Sequence, residues 1–281
     1  SPNHALPPGL SMPAYLCIHD LSWRDLPGEF PWRNRMMRHM STRKALKKAA
    51  GVVCVSRFTQ ERLLHHYEVD PRKVRVIPSG LSPQWKRAGR QEIKDFRSRL
   101  KLDDQMVVGY LGTLLPRRHI REMLESFALL NRRFPAWLVV VGENRIGPEI
   151  EPMLHQPGVI WLPRLEEKDL TAFYSSLDLF LYLSEYEGFG FPPLEALACG
   201  TPALVLEGSS LSEFTGDFAA TTPCFHPQAL AEQITGLLTT ERSRATQGID
   251  RFRNQRQQFS WERSAQSHLE LMGLLGSAGK G

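Results

Sequence analysis

The segment Ser184–Pro202 constrains the fold of this chain more than any other. Its sequence is SEYEGFGFPPLEALACGTP, and an apolar, strand-like run at residues 177–183 precedes it. The two prolines suit a first helical turn, and Gly200 with Pro202 is typical of a helix end. The segment therefore predicts a strand, a glycine-containing loop and a short helix. This arrangement directs backbone N–H groups and a helix dipole at an anion such as a diphosphate.

Strand-like and helix-like segments alternate along the rest of the chain, which predicts an α/β fold with parallel, doubly wound sheets. The predicted strands are residues 14–18, 51–55, 73–77, 106–111, 137–141, 159–162, 179–183 and 203–206. The predicted helices, besides the one above, are residues 31–50, 59–67, 91–100, 121–132, 169–175, 228–239 and 262–274. A polar stretch at 82–104 separates two α/β series and predicts an interdomain connection.

Polar residues and glycines follow several predicted strands, where ligands bind in such sheets. They are His19, Ser56, Ser79, Gly112, Gly142 and Glu187. We therefore expect one binding crevice between two α/β units.

Glu187 and Glu195 lie eight residues apart, the first in the loop and the second inside the predicted helix. Two carboxylates at a fixed separation fit a polyhydroxylated ligand, because each can accept hydrogen bonds from sugar hydroxyls. The alternative is one ordinary loop glutamate and one glutamate that favours the helix dipole. The residues by themselves leave both interpretations open.

Arg117 and Arg118 follow the turn at Gly112 and Thr113. Two guanidinium groups after such a turn suit bidentate phosphate binding, although an Arg-Arg pair is commonly a solvated surface feature. A histidine in the position of His119, beside them, more often caps a helix or packs in the core than takes part in catalysis.

His19, followed by Asp20, ends the first predicted strand. A neutral imidazole there can donate to or accept from a sugar hydroxyl. A single loop histidine is more often structural, so this interpretation depends on its neighbours.

The composition is that of a globular protein, with 281 residues, 42% hydrophobic and 23% charged. There is no apolar run of transmembrane length and no signal-peptide pattern. The four cysteines, Cys17, Cys54, Cys199 and Cys224, form no metal-ligand or disulfide spacing, and we expect reduced thiols in a cytoplasmic protein.

The net charge of +5 and the pI near 9.1 favour an anionic partner. Much of the excess lies at residues 33–48, where methionines and a leucine interleave with arginines and lysines. This stretch predicts either a basic helix on anionic lipid or an ordinary solvated helix face. Nucleic-acid binding has only this stretch in its favour, since no recognition module is present.

Other nucleotide and nucleophile motifs are absent from the sequence. There is no Gly-x-Ser-x-Gly elbow, no phosphate loop ending in Gly-Lys-Ser/Thr, and no Gly-x-Gly-x-x-Gly. The nearest case, Gly188-Phe189-Gly190, lacks the third glycine.

Together these residues resemble the retaining glycosyltransferases of family 4, which have the GT-B fold of two facing Rossmann-like domains. The run from Glu187 to Glu195, with the Ala-Cys-Gly-Thr-Pro after it, is similar to that family's E-x7-E motif. The run Gly112-Thr-Leu-Leu-Pro-Arg-Arg-His119 resembles its Gly-Thr-x-x-Pro-Arg-Lys-Asn turn, with Arg118 in place of lysine and His119 in place of asparagine. His19-Asp20 resembles the family's His-Asp.

Further segments resemble the family along nearly the whole chain. Val53-Cys-Val-Ser56 is similar to its Val-Ser segment, and Val76-Ile-Pro-Ser-Gly80 to its Ile-Pro-Asn-Gly segment, with Ser79 in place of asparagine. Phe259-Ser-Trp261 resembles the start of its C-terminal helix.

The resemblance implies a role for each matching residue. His19 and Glu187 are the implied catalytic groups, and both contact the donor sugar without acting as a nucleophile. The implied donor-binding residues are Gly112, Thr113, Arg117, Arg118, Gly142, Gly188, Phe189, Gly190, Phe191 and Glu195. Among them Glu195 holds the ribose, and the two arginines neutralise the diphosphate, so that no metal and no cofactor are expected.

The resemblance also implies the domain organisation. Residues 1–88 form an N-terminal, acceptor-side domain, residues 103–260 the nucleotide-sugar domain, and residues 261–281 a helix crossing back to the first. Family members begin with a strand and a glycine-rich loop well before the His-Asp, so we expect the N-terminal domain to be incomplete here.

The function implied is retaining transfer of a sugar, with mannose as one candidate, from a nucleoside-diphosphate sugar to a glycan or lipid-linked acceptor of the cell envelope. The expected location is the cytoplasm or the inner face of the cell membrane, with peripheral contact to anionic lipid and no nucleic-acid partner. The alternative is a nucleotide-sugar-binding module without transfer activity.

Overall fold

The computed structural model describes residues 5–7, 12–102, 104–223, 226–240 and 242–273. The strands are β1 (Tyr15–Ile18), β2 (Gly51–Cys54), β3 (Val74–Val76), β4 (Met106–Leu111), β5 (Ala136–Val141), β6 (Val159–Leu162), β7 (Leu179–Tyr182), β8 (Ala203–Leu206) and β9 (Ala220–Thr222). The helices are α1 (Ser22–Asp25), α2 (Trp32–Lys48), α3 (Arg57–His66), α4 (Arg90–Arg99), α5 (Ile120–Asn131), α6 (Glu151–Leu154), α7 (Leu170–Ser176), α8 (Phe191–Ala198), α9 (Ser209–Thr215), α10 (Pro227–Leu238), α11 (Arg242–Gln255) and α12 (Trp261–Leu271).

The described residues group into two compact units. The first contains those up to Gly80, the segment Tyr186–Phe189, and those from Gln258 onward. The second contains those of Leu81–Glu185 and Gly190–Gln257. The chain therefore passes between the units more than once, and the short segment that carries Glu187 groups with the first.

The first unit is built on a three-stranded parallel sheet in the order β1-β2-β3. Its core is apolar and includes the fully buried Leu16, Ile18 and Trp23, together with Leu63 of α3. Ser56 caps α3, because its side chain accepts a hydrogen bond from the Thr59 backbone N–H. The prediction of a helix start at this serine is confirmed.

The second unit contains a six-stranded parallel sheet in the order β6-β5-β4-β7-β8-β9. Helices α5 and α10 pack together, and buried strands such as Val107–Tyr110 form the middle of the core. Parallel sheets are covered on both faces, which explains why these strands are apolar runs without alternation. The predicted α/β architecture with parallel sheets is confirmed.

Several elements differ from the sequence-based expectation. The helix predicted within the interdomain connection, α4, packs in the second unit, where Phe96 is buried against Phe173. Elements α6, α9, α11 and β9 were not predicted, because they are short or dominated by polar residues. Their positions depend on packing, which overrides weak local propensity.

Cys17, Cys54 and Cys199 are free thiols. Burial raises the pKa of Cys54 and of Cys199 to about 12, so both thiols stay protonated at neutral pH. Cys224 lies outside the described residues. No helix within the described ranges combines the length and the apolar character that a membrane span needs.

Candidate functional site

In the sheet of the second unit, the order in which the chain adds strands reverses between β4 and β7. The chain adds β5 and β6 on one side of β4 and then returns to add β7, β8 and β9 on the other. In open parallel sheets, a ligand binds beyond the carboxyl ends of the strands at such a point. The turn after β4 carries Gly112, Thr113, Arg117 and Arg118, and the segment after β7 leads to Gly190, Phe191 and Glu195.

The glycine turns that follow β4 and β5 lie in direct contact. Gly142 has a φ of +152°, and a Cβ atom built on it would lie 1.9 Å from the Gly112 carbonyl oxygen. Gly112 has a φ of +150°. Trp161 donates an indole hydrogen bond to the Gly142 carbonyl at 2.9 Å and fixes this turn from the β6 side. A side chain at position 142 would separate the two turns.

Arg118 is held across the turn after β4. Its Nη1 donates to the Thr113 carbonyl at 3.0 Å, and the Tyr110 hydroxyl donates to the same oxygen at 3.1 Å. The guanidinium lies over the Tyr182 ring, 5.4 Å from its centroid, so the cation contacts an aromatic face of β7. A cation fixed between β4 and β7 is well placed for an anionic ligand at the switch point.

Glu185, just after β7, connects that segment to the arginine turn. Its backbone N–H donates to the Arg117 carbonyl at 3.0 Å, and its Oε1 lies 2.8 Å from Nε2 of His119. His119 is buried and has a φ of +50° at the start of α5. Histidine and asparagine are among the residues that tolerate this left-handed conformation, which explains how histidine can stand where the resembling family has asparagine.

The two prolines lie in the first turn of α8, as the sequence predicts, and they limit the number of backbone N–H groups there. Gly190 is the N-cap residue with a φ of +91°, and α8 begins at Phe191 with prolines at its next two positions. Prolines have no N–H, so among the first three residues of α8 only Phe191 carries a backbone donor. An anion at this helix start is therefore limited to the N–H groups of Gly190 and Phe191 and to the helix dipole.

Glu195 lies on α8, and its side chain is fixed from α7. The Tyr174 hydroxyl, which is fully buried, donates to its Oε2 at 2.7 Å. Burial raises the pKa of Glu195, and the hydrogen bond from Tyr174 offsets part of that rise. Burial and the neighbouring carboxylate also raise the pKa of Tyr174 well above its usual value, so the phenol stays a donor.

Replacing Tyr174 with phenylalanine is expected to destabilise the protein by about 1.5–3 kcal/mol at pH 7, the typical loss for a hydrogen bond to a charged group. Because the pKa of Glu195 is raised in the folded state, the stability of the protein falls as pH rises from the unfolded-state pKa of this carboxyl to its folded-state pKa. Without the Tyr174 phenol the folded-state pKa is higher still, so this fall is larger. The destabilisation should therefore be smaller near pH 4. Urea unfolding at both pH values measures it.

A double-mutant cycle supplies the control for this prediction. In a Glu195→Gln background, Tyr174→Phe should show no pH-dependent difference, because the titrating group is gone. The same pH dependence in both backgrounds would contradict the role given to the Tyr174–Glu195 pair.

In the first unit, the backbone next to Glu187 packs against the backbone of His19. A Cβ built on Gly188, next to Glu187, would lie 1.8 Å from the His19 carbonyl oxygen. The Thr59 hydroxyl lies 3.4 Å from the His19 carbonyl oxygen and 3.5 Å from that of Gly188. The backbone carrying Glu187 thus packs directly on the end of β1, an approach that a side chain at position 188 would prevent.

Tyr186 holds this segment from its other side. Its hydroxyl accepts a hydrogen bond from the Leu21 N–H at 3.2 Å, and its ring packs edge-on against Phe58. It also bonds to Asp25, which Arg62 and His66 bind from α3. Burial by itself would raise the pKa of Asp25, but these three hydrogen bonds outweigh it and the pKa is lowered.

The structure thus groups the predicted site residues in two sets. His19, Glu187, Gly188 and Phe189 belong to the first unit, and Gly112, Thr113, Arg117, Arg118, Gly142, Gly190, Phe191 and Glu195 to the second. That the two sets share one crevice stays a prediction, as do the roles of these residues. Sequence reasoning missed Tyr174 and Asp25, which no local motif marks.

Among the described residues, no group of three or more histidine, cysteine, aspartate or glutamate side chains is arranged to hold a metal ion.

Comparison with known families decides the kind of protein. The model described as glycosyl transferases group 1 matches residues 91–251, more than half of the chain. The chain belongs to the glycosyl transferases group 1 family. The model described as glycosyltransferase family 4 matches residues 3–85. The resemblance stated from the sequence is therefore confirmed.

Relatives of this glycosyltransferase chain include two with named activities. O-antigen chain mannosyltransferase B of Escherichia coli is 26% identical over 283 residues, covering 98% of this chain and 73% of the relative. D-inositol 3-phosphate glycosyltransferase of Segniliparus rotundus is 30% identical over 187 residues, covering 63% of this chain and 38% of the relative. The chain thus spans only part of the length of each.

Solved structures confirm the GT-B fold of the glycosyltransferase chain. Anabaena HepE in complex with UDP-glucose matches with a TM-score of 0.79 at 20% identity, covering 94% of this chain and 72% of that one. Sucrose-phosphate synthase from Thermosynechococcus elongatus matches with a TM-score of 0.76 at 22% identity, covering 96% and 70%.

Proposed function

We propose that this glycosyltransferase moves a sugar from a nucleoside-diphosphate sugar to a glycan or lipid-linked acceptor, with retention of anomeric configuration and without a metal ion. The observation that carries the proposal is the switch point between β4 and β7, where Arg118 and the Tyr174-anchored Glu195 flank the carboxyl ends of the strands. In this proposal the fixed cation binds the diphosphate of the donor, and the fixed carboxylate binds its ribose.

The proposed role of the arginines follows from charge. The diphosphate gains negative charge as the sugar leaves, and preorganised cations lower the free energy of that transition state. Arg118 is preorganised by the Thr113 carbonyl and the Tyr182 ring. Arg117 is the second cation of this turn, half-buried beside it. This pair takes the place that a divalent metal would have in neutralising the leaving group.

The proposed role of Glu195 is to bind the ribose hydroxyls. Tyr174 occupies Oε2 and orients the carboxylate, which then accepts hydrogen bonds from a diol with its remaining lone pairs. A preoriented acceptor loses less entropy when the ligand binds than a free side chain does.

Glu187 and His19 are proposed to contact the donor sugar. The contacts of Gly188 and Tyr186 with the segment that follows β1 hold the backbone of both residues in place. Retention then follows from attack of the acceptor hydroxyl on the face that the diphosphate leaves, with a phosphate oxygen taking the acceptor proton. No enzyme nucleophile is required on this route.

Two comparisons support the choice of ligands. HepE was solved with UDP and with UDP-glucose, and relatives act as mannosyltransferases or on D-inositol 3-phosphate. A nucleoside-diphosphate sugar is therefore the donor class we propose, with mannose as the first sugar to test. An O-antigen-like glycan is the first acceptor to test.

The test combines calorimetry with a transfer assay. The purified protein is titrated with GDP-mannose and UDP-glucose, and then incubated with each labelled donor and with glycan and lipid-linked acceptors, with and without EDTA. We expect donor binding, an acceptor-dependent product with the donor's anomeric configuration, and no loss of rate in EDTA. Donor binding without transfer would support the binding-module alternative instead, and inversion or EDTA sensitivity would contradict the proposed mechanism.

A further inference from the structure

Asp25 is a nearly buried carboxylate that the proposed chemistry does not use. Its side chain is 12% exposed. Arg62 binds both of its oxygens, with Nε donating to Oδ2 at 3.0 Å and Nη2 donating to Oδ1. Nε2 of His66 lies 2.6 Å from Oδ1, and the Tyr186 hydroxyl is a further donor. A carboxylate with so many charge-assisted bonds is fixed in position and orientation.

Helix α3 supplies two of these partners from one face. Thr59, Arg62 and His66 are spaced three and four residues apart, so they lie on the same side of the helix. Arg62 and His66 bind Asp25, while the Thr59 hydroxyl lies 3.5 Å from the Gly188 carbonyl oxygen. One helix therefore contacts both the fixed carboxylate and the backbone beside Glu187.

The segment at residues 183–190, which carries Glu187, belongs to neither a helix nor a strand. Its position therefore depends on contacts with other segments. On one side of Glu187, Gly188 packs on the backbone that follows β1. On the other side, the buried Tyr186 bonds through its hydroxyl to Asp25 and to a backbone N–H of the same region. Both neighbours of Glu187 are thus held by the first unit.

Asp20 connects this arrangement to His19. Its Oδ1 accepts hydrogen bonds from the Ser22 backbone N–H at 2.9 Å and from the Ser22 hydroxyl at 2.8 Å. Ser22 begins α1, a four-residue helix that ends at Asp25. A helix this short has little stability of its own, so these bonds at its two ends hold it in place. A connected set of contacts therefore joins the backbone of His19 to that of Glu187.

We propose that Asp25 and Tyr186 are positioning residues for the proposed sugar transfer. Asp25, held by α3, fixes the Tyr186 hydroxyl, and this bond fixes the backbone from which Glu187 reaches the donor sugar. Both residues act through Glu187 rather than on the sugar. A displacement of about 1 Å at a group that acts in the transition state can lower a rate about a hundredfold. The inference rests on the proposed function, since it assigns both residues to that reaction.

A role in stability alone makes a different prediction. If the bonds of Asp25 served only to join α1 to α3, their loss would lower the melting temperature and leave kcat of the folded protein unchanged. If they position Glu187, their loss lowers kcat of protein that is fully folded. All assays are therefore run at a temperature at which thermal melts show every variant to be folded.

Tyr186→Phe is the main test. It removes the hydroxyl and keeps the ring, which packs edge-on against Phe58. We expect kcat for transfer to fall about tenfold and the donor KM to change less than about twofold, because the affected group acts in the transition state. Asp25→Asn, which keeps the shape of the side chain and removes its charge, should lower kcat in the same way. It is the second variant because it leaves Tyr186 intact.

A double-mutant cycle shows whether the effect passes through Glu187. In a Glu187→Gln background, Tyr186→Phe should lower kcat by less than about twofold, because the carboxylate that it positions is already gone. A role elsewhere in the protein would lower kcat by the same factor in both backgrounds.

Two substitutions in the same unit serve as matched controls. Tyr67→Phe removes another buried phenol, 7% exposed against 6% for Tyr186, whose hydroxyl lies 3.2 Å from Nδ1 of His39. Asp70→Asn breaks another aspartate–arginine pair, the one with Arg72. Both controls should keep kcat and KM of the unsubstituted protein.

Three outcomes would overturn the inference while the unsubstituted protein transfers sugar. The first is a kcat of Tyr186→Phe within a factor of two of the unsubstituted value. The second is an equal loss in both backgrounds of the cycle, and the third is an equal loss with Tyr67→Phe. Absence of transfer by the unsubstituted protein is a separate result, because it contradicts the proposed function and removes the inference with it.

Discussion

Replacing Glu187 with glutamine is expected to lower kcat/KM for sugar transfer on the order of a hundredfold while leaving the fold unchanged. The substitution keeps the shape of the side chain and removes its charge, so a charge-assisted hydrogen bond to a donor hydroxyl becomes a neutral one. If that bond strengthens as the sugar leaves, the loss lies in kcat rather than in KM. Steady-state kinetics with the donor identified by calorimetry measures both.

Glu61→Gln is the matched control for this prediction. Glu61 is an exposed glutamate of α3 in the same unit, and its substitution should leave kcat and KM unchanged. Circular dichroism and thermal melts of both variants should overlay those of the unsubstituted protein. Turnover by Glu187→Gln within a factor of two would remove Glu187 from the proposed chemistry.

Replacing Gly142 with alanine is expected to destabilise the second unit by about 3–5 kcal/mol, the sum of a disfavoured backbone conformation and a steric overlap. The new Cβ would lie 1.9 Å from the Gly112 carbonyl oxygen, and both groups are backbone-fixed at the ends of neighbouring strands. Relief requires the two turns to separate, which also displaces Thr113 and Arg118. Donor affinity should therefore fall together with stability.

Gly208→Ala separates the two contributions. Gly208 has a φ of +99°, but a Cβ built there meets no atom within 4 Å. Its substitution should reveal the conformational strain without the overlap, a loss of about 1–3 kcal/mol. Urea unfolding of both variants, monitored at the transition of the second unit, gives the comparison. Equal destabilisation by the two would argue that overlap at Gly142 is relieved without moving Gly112.

Much of the local structure around the candidate site could be predicted from local sequence. The strand, the glycine loop and the helix around Glu195 were predicted because prolines, glycines and apolar runs act within a few residues. The turn from Gly112 to Arg118 was predicted for the same reason. The identity of the family followed from these motifs, since their spacing is fixed by the chain itself.

Contacts between distant segments could not be predicted from local sequence. Tyr174 and Glu195 are 21 residues apart, and nothing near either residue marks the pair. The left-handed conformation of His119 could not be predicted either, because it depends on how α5 follows the turn that carries Arg117 and Arg118.

The basic stretch at residues 33–48 shows most clearly which features local sequence determines and which depend on tertiary packing. The sequence determined that these residues form a helix and that the helix is cationic, since both depend on local composition and propensity. Two interpretations remained, because a helix has two faces and sequence does not say which is buried. The tertiary structure decided this by packing Thr42, Ala45 and Leu46 inward, which leaves Trp32 and the methionines in solvent. Local interactions thus fixed the elements and motifs, while burial, the register between strands and the contact of Gly112 with Gly142 were fixed only when distant segments met.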